Sequence, residues 1–294
     1  MSMNLLKKLI VSAALMTSAV PALVLANEGG FPLDRAPERS TDLVALQNGA
    51  KLFVNYCLNC HSASAMRYNR LRDIGLTDEQ IKGNLLFTAE KIGELMKTNL
   101  SAKDAKTWFG VVPPDLSVIA RAKASDRGSG ADWLYTYLRS YYRDSSRTTG
   151  WNNKEFVNVG MPHALWELQG ANRGAVISEV KELKEDKANS EKVTGYTETV
   201  STYDGNGEVT VHTEKLEGEH HHVGKEVELG AATGGKLDAV AYDNAVGDLV
   251  AYLQWMGEPG QNSRKRIGVW VVLFMALQAT LAWRLNASYW KEVK

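Results

Sequence analysis

The 294-residue sequence predicts a mainly α protein held to a membrane by one C-terminal helix. Apolar, uncharged runs near both ends and the helical spacing of apolar residues between them carry this expectation. At the start, Lys7 and Lys8 precede an apolar run from Leu9 to Val20 and the small-residue ending Val24-Leu25-Ala26. That is the pattern of a signal peptide at residues 1–26, cleaved before Asn27. The run is about a dozen residues, short of the roughly 17–25 a membrane span needs.

At the other end, Ile267 to Trp283 carries no charge, with Arg264, Lys265 and Arg266 before it and Arg284, Lys291 and Lys294 after it. This is long enough for a transmembrane helix, and Trp270, Trp283, Tyr289 and Trp290 suit its interfaces. Gln278 and Thr280 would find hydrogen-bond partners on a neighbouring helix. A translocated N-terminus leaves residues 27–263 on the periplasmic side of a bacterial inner membrane and residues 264–294 as anchor and cytoplasmic tail. The chain is neutral overall, but residues 27–263 hold 26 basic and 33 acidic side chains. Such a domain repels nucleic acid and attracts a basic partner.

Within that domain, Leu43, Leu46, Ala50, Phe53 and Val54 recur at helical steps, with Thr41 or Asp42 as cap. Thr77 to Gln80 opens a turn, and Thr88–Leu100 reads as a helix with Ile92, Leu95 and Met96 on one face. Asp132–Tyr142 is a further helix; Phe109–Ser117, with Pro113-Pro114, is loop. Residues 178–229 hold 13 acidic and 6 basic side chains and read as an insertion outside the core. Thr197–Tyr203 and Glu208–Thr213 alternate around Asp204-Gly205-Asn206-Gly207, a hairpin signal, and the rest of the insertion divides between order and disorder. Tyr242–Met256 is helical, ends at Gly257 and Pro259, and leads into the anchor.

The chemistry lies in Cys57-Leu58-Asn59-Cys60-His61. Two thiols separated by two residues can add to the vinyl groups of one haem, and the adjacent histidine can reach its iron. A zinc site would need two more ligands that no further cysteine supplies. A thioredoxin-like dithiol wants a strand leading into the motif, where this sequence offers a helix. For the second axial position, Met66 is too near His61, Met96 fits a core stripe and Met256 ends a helix, leaving Met161 best placed between Gly160 and Pro162. His163 is the rival ligand, and an ordinary surface methionine is a further alternative. His220-His221-His222, with Glu217 and Glu219, reads as a solvated loop. An open sixth position would instead suit a haem peroxidase or a haem sensor.

The motif, Pro113-Pro114-Asp115-Leu116-Ser117, Gly160-Met161-Pro162 and the Tyr242-to-Pro259 helix before a C-terminal anchor together resemble the cytochrome c1 family. Its members are haem subunits of ubiquinol:cytochrome c oxidoreductases, and the likeness covers most of residues 32–290. The resemblance implies a class I cytochrome c-like domain with one haem c on Cys57 and Cys60, ligated by His61 and Met161. It also implies a carbonyl of the Pro113-Pro114 turn on the His61 ring, and a haem propionate met by Arg121 or Lys123, with Arg121 preferred. Electrons would come from a Rieske iron-sulfur protein and leave for a cytochrome c, in a respiratory chain complex that is dimeric and places a cytochrome b beside the anchor in the lipid. No bond-breaking chemistry falls to this subunit. The acidic segment is expected to add a negative docking surface.

Overall fold

The structure, a computed structural model, describes residues 31–184, 193–217 and 221–291. The expected signal peptide, the C-terminal Lys294, and Glu219 and His220 of the acidic segment lie outside the described residues. The Asp42 carboxylate caps α1 (Leu43–Leu52), accepting from the amides of Val44 and Ala45 at 3.0 and 3.2 Å. The helix then widens by one residue per turn over Phe53–Cys57. After β1 (Ala63–Arg67) and a 3-10 turn over Tyr68–Ile74 comes α2 (Asp78–Asn84), where Thr77 and Gln80 close a capping box.

The expected helix over Thr88–Leu100 is not formed. In its place β2 (Leu95–Met96) pairs antiparallel with β1, and the Tyr68 and Asn69 amides donate to the carbonyls of Glu94 and Ile92. Gly93 weakens a helix there, and the apolar step Ile92, Leu95, Met96 serves an extended segment equally well once Met96 is fully buried. A short α3 (Ala102–Phe109), capped by Ser101, occupies a stretch with no such expectation. Then follow α4 (Ile119–Ala122), α5 (Gly130–Arg139), β3 (Tyr141–Arg143), its antiparallel partner β4 (Trp151–Asn153), and α6 (Trp166–Gln169). The segment expected as one helix to Tyr142 thus turns into strand after Arg139, because Asn153 binds the carbonyl of Tyr137 and ends the helix there.

The described residues between 175 and 229 include a four-stranded antiparallel sheet, so the fold holds more β structure than a mainly α reading implies. The strands are β5 (Ala175–Lys184), β6 (Val193–Tyr203), β7 (Val209–Leu216) and β8 (Gly224–Leu229), in the order β7-β6-β5-β8. Tyr203 opposes Val209 across residues 204–208, and Ala175 opposes both Tyr203 and Leu229. The sheet roots on the helical domain where Tyr203 meets the ring of Tyr142 at 5.2 Å and the Ser145 amide donates to Gly207.

The core sits between α1 and α7 (Ala239–Gly257), joined by α5. Phe53 packs on Tyr252 with ring centroids 5.6 Å apart, both fully buried. Each such ring contributes roughly 1.5–3 kcal/mol by leaving water. The helices cross at Gly49, where a Cβ would fall 2.1 Å from the Asp248 carbonyl oxygen. Asp248 also binds Arg39 at 2.6 Å and Asn48 at 2.7 Å, pinning the crossing from the side.

Finally α8 (Gln261–Tyr289) runs 29 residues, about 43 Å at 1.5 Å per residue, against a bilayer core of about 30 Å. Its side chains are exposed all round, so nothing in the fold covers its apolar surface. Among the described residues it is the one helix long and apolar enough to cross a membrane. The Thr280 hydroxyl is satisfied within the helix, donating to the Ala276 carbonyl at 2.8 Å, and so needs no neighbouring helix.

Candidate functional site

The wide turn at the end of α1 sets the spacing of the cysteine motif. The Leu58 amide reaches back five residues to Phe53, and the Cys60 and His61 amides both close on the Cys57 carbonyl. Such turns gather at functional sites because they re-aim side chains without ending the helix. Both thiols are free and half-buried. Burial and the neighbouring Cys60 push the Cys57 thiol up to about 12, and burial raises Cys60 as well. A dithiol oxidoreductase needs a low-pKa attacking thiolate, so this pair is unsuited to that chemistry.

His61 is buried, and its Nδ1 lies 2.7 Å from the Pro114 carbonyl oxygen. A carbonyl can only accept, so the proton sits on Nδ1 and the lone pair on Nε2. Burial lowers the ring's pKa, with the Pro114 bond and Asp115 opposing, which keeps the imidazole neutral and able to ligate. The acceptor is Pro114 and not Pro113. That loop is stitched to the strand after His61: the Leu116 amide donates to Ser62 at 2.8 Å, the Ser64 and Ser117 amides to the Asp115 carboxylate at 2.8 Å each, and the Ala65 amide to the Ser117 hydroxyl at 3.0 Å. In the sequence Asp115 and Ser117 stand out only as members of the proline segment, with no role of their own, although Asp-x-Ser after a proline pair is an Asx-turn signal.

Met161 lies in the loop between β4 and α6, half-buried. The Tyr137 hydroxyl is 3.4 Å from its sulfur, and the Tyr141 hydroxyl 3.3 Å from its carbonyl oxygen. The loop is held by two buried asparagines. Asn153 Oδ1 accepts the amides of Glu155 and Phe156 while its Nδ2 donates to Tyr137, and Asn152 Oδ1 accepts the amide of Asn158, whose φ is +62°. His163, the rival ligand, is 2% exposed and stacked on Tyr141 at 4.7 Å with Trp151 edge-on at 4.9 Å. Burial drives it down to about 3. Packed behind these rings, it is less accessible than the methionine.

The two cations from the proline segment part company. Arg121, preferred from the sequence for a propionate, turns to Glu258, 3.3 Å away, which also holds Arg264 at 2.6 Å at the start of α8. The Lys123 ammonium instead lies 4.2 Å over the ring of Trp133, which stacks on Tyr137. His221 packs against Tyr196 and its Nε2–H donates to the Glu217 carbonyl at 2.9 Å; no cluster of metal-ligating side chains forms among the described residues.

The two loops meet where Gly160 faces Val111. On the stretches beside these two loops Val111, Val112, Val118, Phe156 and Val157 are each about half exposed, apolar side chains with no protein cover among the described residues. Two free thiols, a histidine with its lone pair on Nε2, a thioether and these apolar side chains fit a covalently bound haem.

The model for the Cytochrome C1 family matches residues 35–91 and 226–293, which include the cysteine motif, α1, α7 and α8. A protein of Nitrosomonas europaea named ammonia monooxygenase gamma subunit is 38% identical over 261 residues, 89% of this chain and 88% of that protein. Cytochrome c1 of Allochromatium vinosum is 37% identical over 289 residues, 98% of this chain and the whole of that protein. Cytochrome c1 of Rhodospirillum rubrum is 25% identical over 320 residues, 99% of each chain. With the full-length likeness and the site geometry in agreement, the chain belongs to the cytochrome c1 family, membrane-anchored subunits that carry electrons by haem in a respiratory complex.

Proposed function

We propose that this chain passes single electrons through one haem c, tethered by Cys57 and Cys60 and ligated by His61 and Met161 in a class I cytochrome c-like arrangement. The observation that carries the reading is the His61–Pro114 bond, which frees Nε2 for a metal next in sequence to two free thiols. When bound, the haem supplies reversible one-electron chemistry at its iron. The chain's own residues hold the ligands and exclude water, so a change of charge meets little rearrangement. Arg121 is the preferred propionate partner and Lys123 the alternative: Arg121 is largely exposed with a 3.3 Å contact to Glu258, and Lys123 lies over the rings of Trp133 and Phe156. An ammonium offers a point charge rather than a bidentate fork.

In the same reading, residues 1–26 export the chain, the haem domain faces the periplasm and α8 crosses the membrane. A Rieske iron-sulfur protein delivers the electron, a cytochrome c accepts it, and cytochrome b packs against α8 within a dimeric complex. The sheet β5–β8, the inserted acidic segment of this proposal, contributes a negative docking surface through its excess of carboxylates. Deleting residues 178–229 should weaken the ionic-strength dependence of cytochrome c reduction; an unchanged dependence would count against this role.

A reduced-minus-oxidised spectrum of the purified chain tests the ligands. A far-red methionine-to-iron charge-transfer band, absent from Met161→Ala, is expected, and a Met161→Ala protein that keeps the band refutes the ligation. Detergent extraction should also bring down a cytochrome b and a Rieske protein.

A further inference from the structure

Tyr137 Oη lies 3.4 Å from Met161 Sδ and 2.6 Å from Tyr141 Oη, which in turn lies 3.3 Å from the Met161 carbonyl oxygen. Two hydroxyls thus have two protons for three contacts. In one arrangement Tyr141 donates to Tyr137 and Tyr137 donates to the sulfur. In the other Tyr137 donates to Tyr141 and Tyr141 donates to the carbonyl. The rings are held for this: both tyrosines are buried, Tyr137 stacks on Trp133 at 4.8 Å, and Tyr141 stacks on His163.

We propose that Tyr137 and Tyr141 are a two-position hydroxyl switch on Met161, and that Tyr137, as a positioning residue, raises the reduction potential by donating to the thioether. The proposal rests on the reading of Met161 as a haem ligand. A thioether that accepts a hydrogen bond has less electron density to give a metal, and the more highly charged ferric iron loses more by this than ferrous iron does. Donation to sulfur therefore favours the reduced state. Oxidation makes the sulfur a poorer acceptor, so the chain turns toward the carbonyl. Both protons stay on their own oxygens throughout, and the switch needs only rotation of two O–H bonds.

In Tyr137→Phe the sulfur loses its donor while Tyr141 can still reach the carbonyl. The reduced-to-oxidised equilibrium should move toward oxidised by about three- to tenfold, the range of one hydrogen bond, or ~28–59 mV for a one-electron couple. In Tyr141→Phe the Tyr137 proton has only the sulfur, and the midpoint should equal or exceed that of the unmodified protein. An unchanged or higher midpoint in Tyr137→Phe, or an equal fall in Tyr141→Phe, would overturn the switch. The far-red band separates the two levels: its persistence in Met161→Ala defeats the ligand reading, whereas its retention in both tyrosine variants leaves the midpoints to judge the switch. Should Tyr137→Phe fail to assemble, resonance Raman of the unmodified reduced protein decides. The iron–sulfur stretch should shift between H2O and D2O, and an unshifted band overturns the proposal.

Discussion

Gly49→Ala should destabilise the protein out of proportion to one methyl group. The added Cβ would fall 2.1 Å from the Asp248 carbonyl oxygen and 2.7 Å from the Tyr252 Cβ. Comfortable contact lies near 3.5 Å, so α1 and α7 must part by roughly 1 Å along a crossing that also carries the Phe53–Tyr252 pair. Overpacking of this kind costs about 1–3 kcal/mol. For a domain of this size each kcal/mol lowers Tm by about 2–4 °C, so a fall of roughly 4–10 °C is expected at the centre of that range and above. Gly83→Ala is the control: it lies inside α2 with nothing within 4 Å of a new Cβ, and alanine there should stabilise by about 0.5–1 kcal/mol. Both melts can be followed on the detergent-solubilised full chain by far-ultraviolet circular dichroism. The reasoning fails if Gly49→Ala melts within about 1 °C of the parent or if Gly83→Ala falls as far.

Arg127→Ala should cost about 3–5 kcal/mol in urea unfolding, because Arg127 grips both oxygens of Glu155 at 2.9 and 2.7 Å and the Glu155 side chain is 2% exposed. Arg127→Lys should recover only part, since an ammonium cannot match the fork. Asn153→Ala should free the Met161 loop and weaken the far-red band at a cost of about 1–3 kcal/mol, because the amides of Glu155 and Phe156 lose their acceptor. Asp115 has its pKa pulled up by burial but lowered on balance by Ser117 and Ser64. A carboxylate with a depressed folded pKa stabilises above its unfolded value, about 3.9, and that contribution fades as pH falls through the lower folded value. Asp115→Ala should therefore be less stable at neutral pH and show a flatter acid limb in melts from pH 7 downward.

What could be read in advance was local. The apolar periods of residues 43–54 and 242–256 mark helices because one face of each buries along its own length, and the structure sets them at Leu43–Leu52 and Ala239–Gly257. The anchor stands out because nothing but lipid suits a helix apolar all round. What escaped depends on partners far off in the chain. Ile92, Leu95 and Met96 satisfy a helical step and a strand equally, and only the pairing with Ala63 and Arg67 decides. The Asp204-to-Gly207 turn is written in four residues, but β8 becomes a strand only by finding β5 across about 50 residues. Arg121 and Lys123 are chemically alike at two positions' distance; side-chain direction alone sends one to Glu258 and the other to Trp133.

The two proposed ligands are held by different means, and this separates the properties they control. His61 is fixed from the Pro114 side by backbone bonds that tie residues 114–117 to the strand after the motif. Met161 is fixed from α5 and the strand pair after it, by the hydroxyls of Tyr137 on α5 and Tyr141 on β3 and by Asn153 on β4. Loosening the first should disturb the ring orientation and the tautomer on which ligation depends. Changing the second should move the potential while the proposed covalent attachment and His61 stay in place. In the proposed reading, substitutions at Tyr137 or Tyr141 shift the midpoint and leave the haem attachment intact, which is how an electron carrier can be matched to its neighbours.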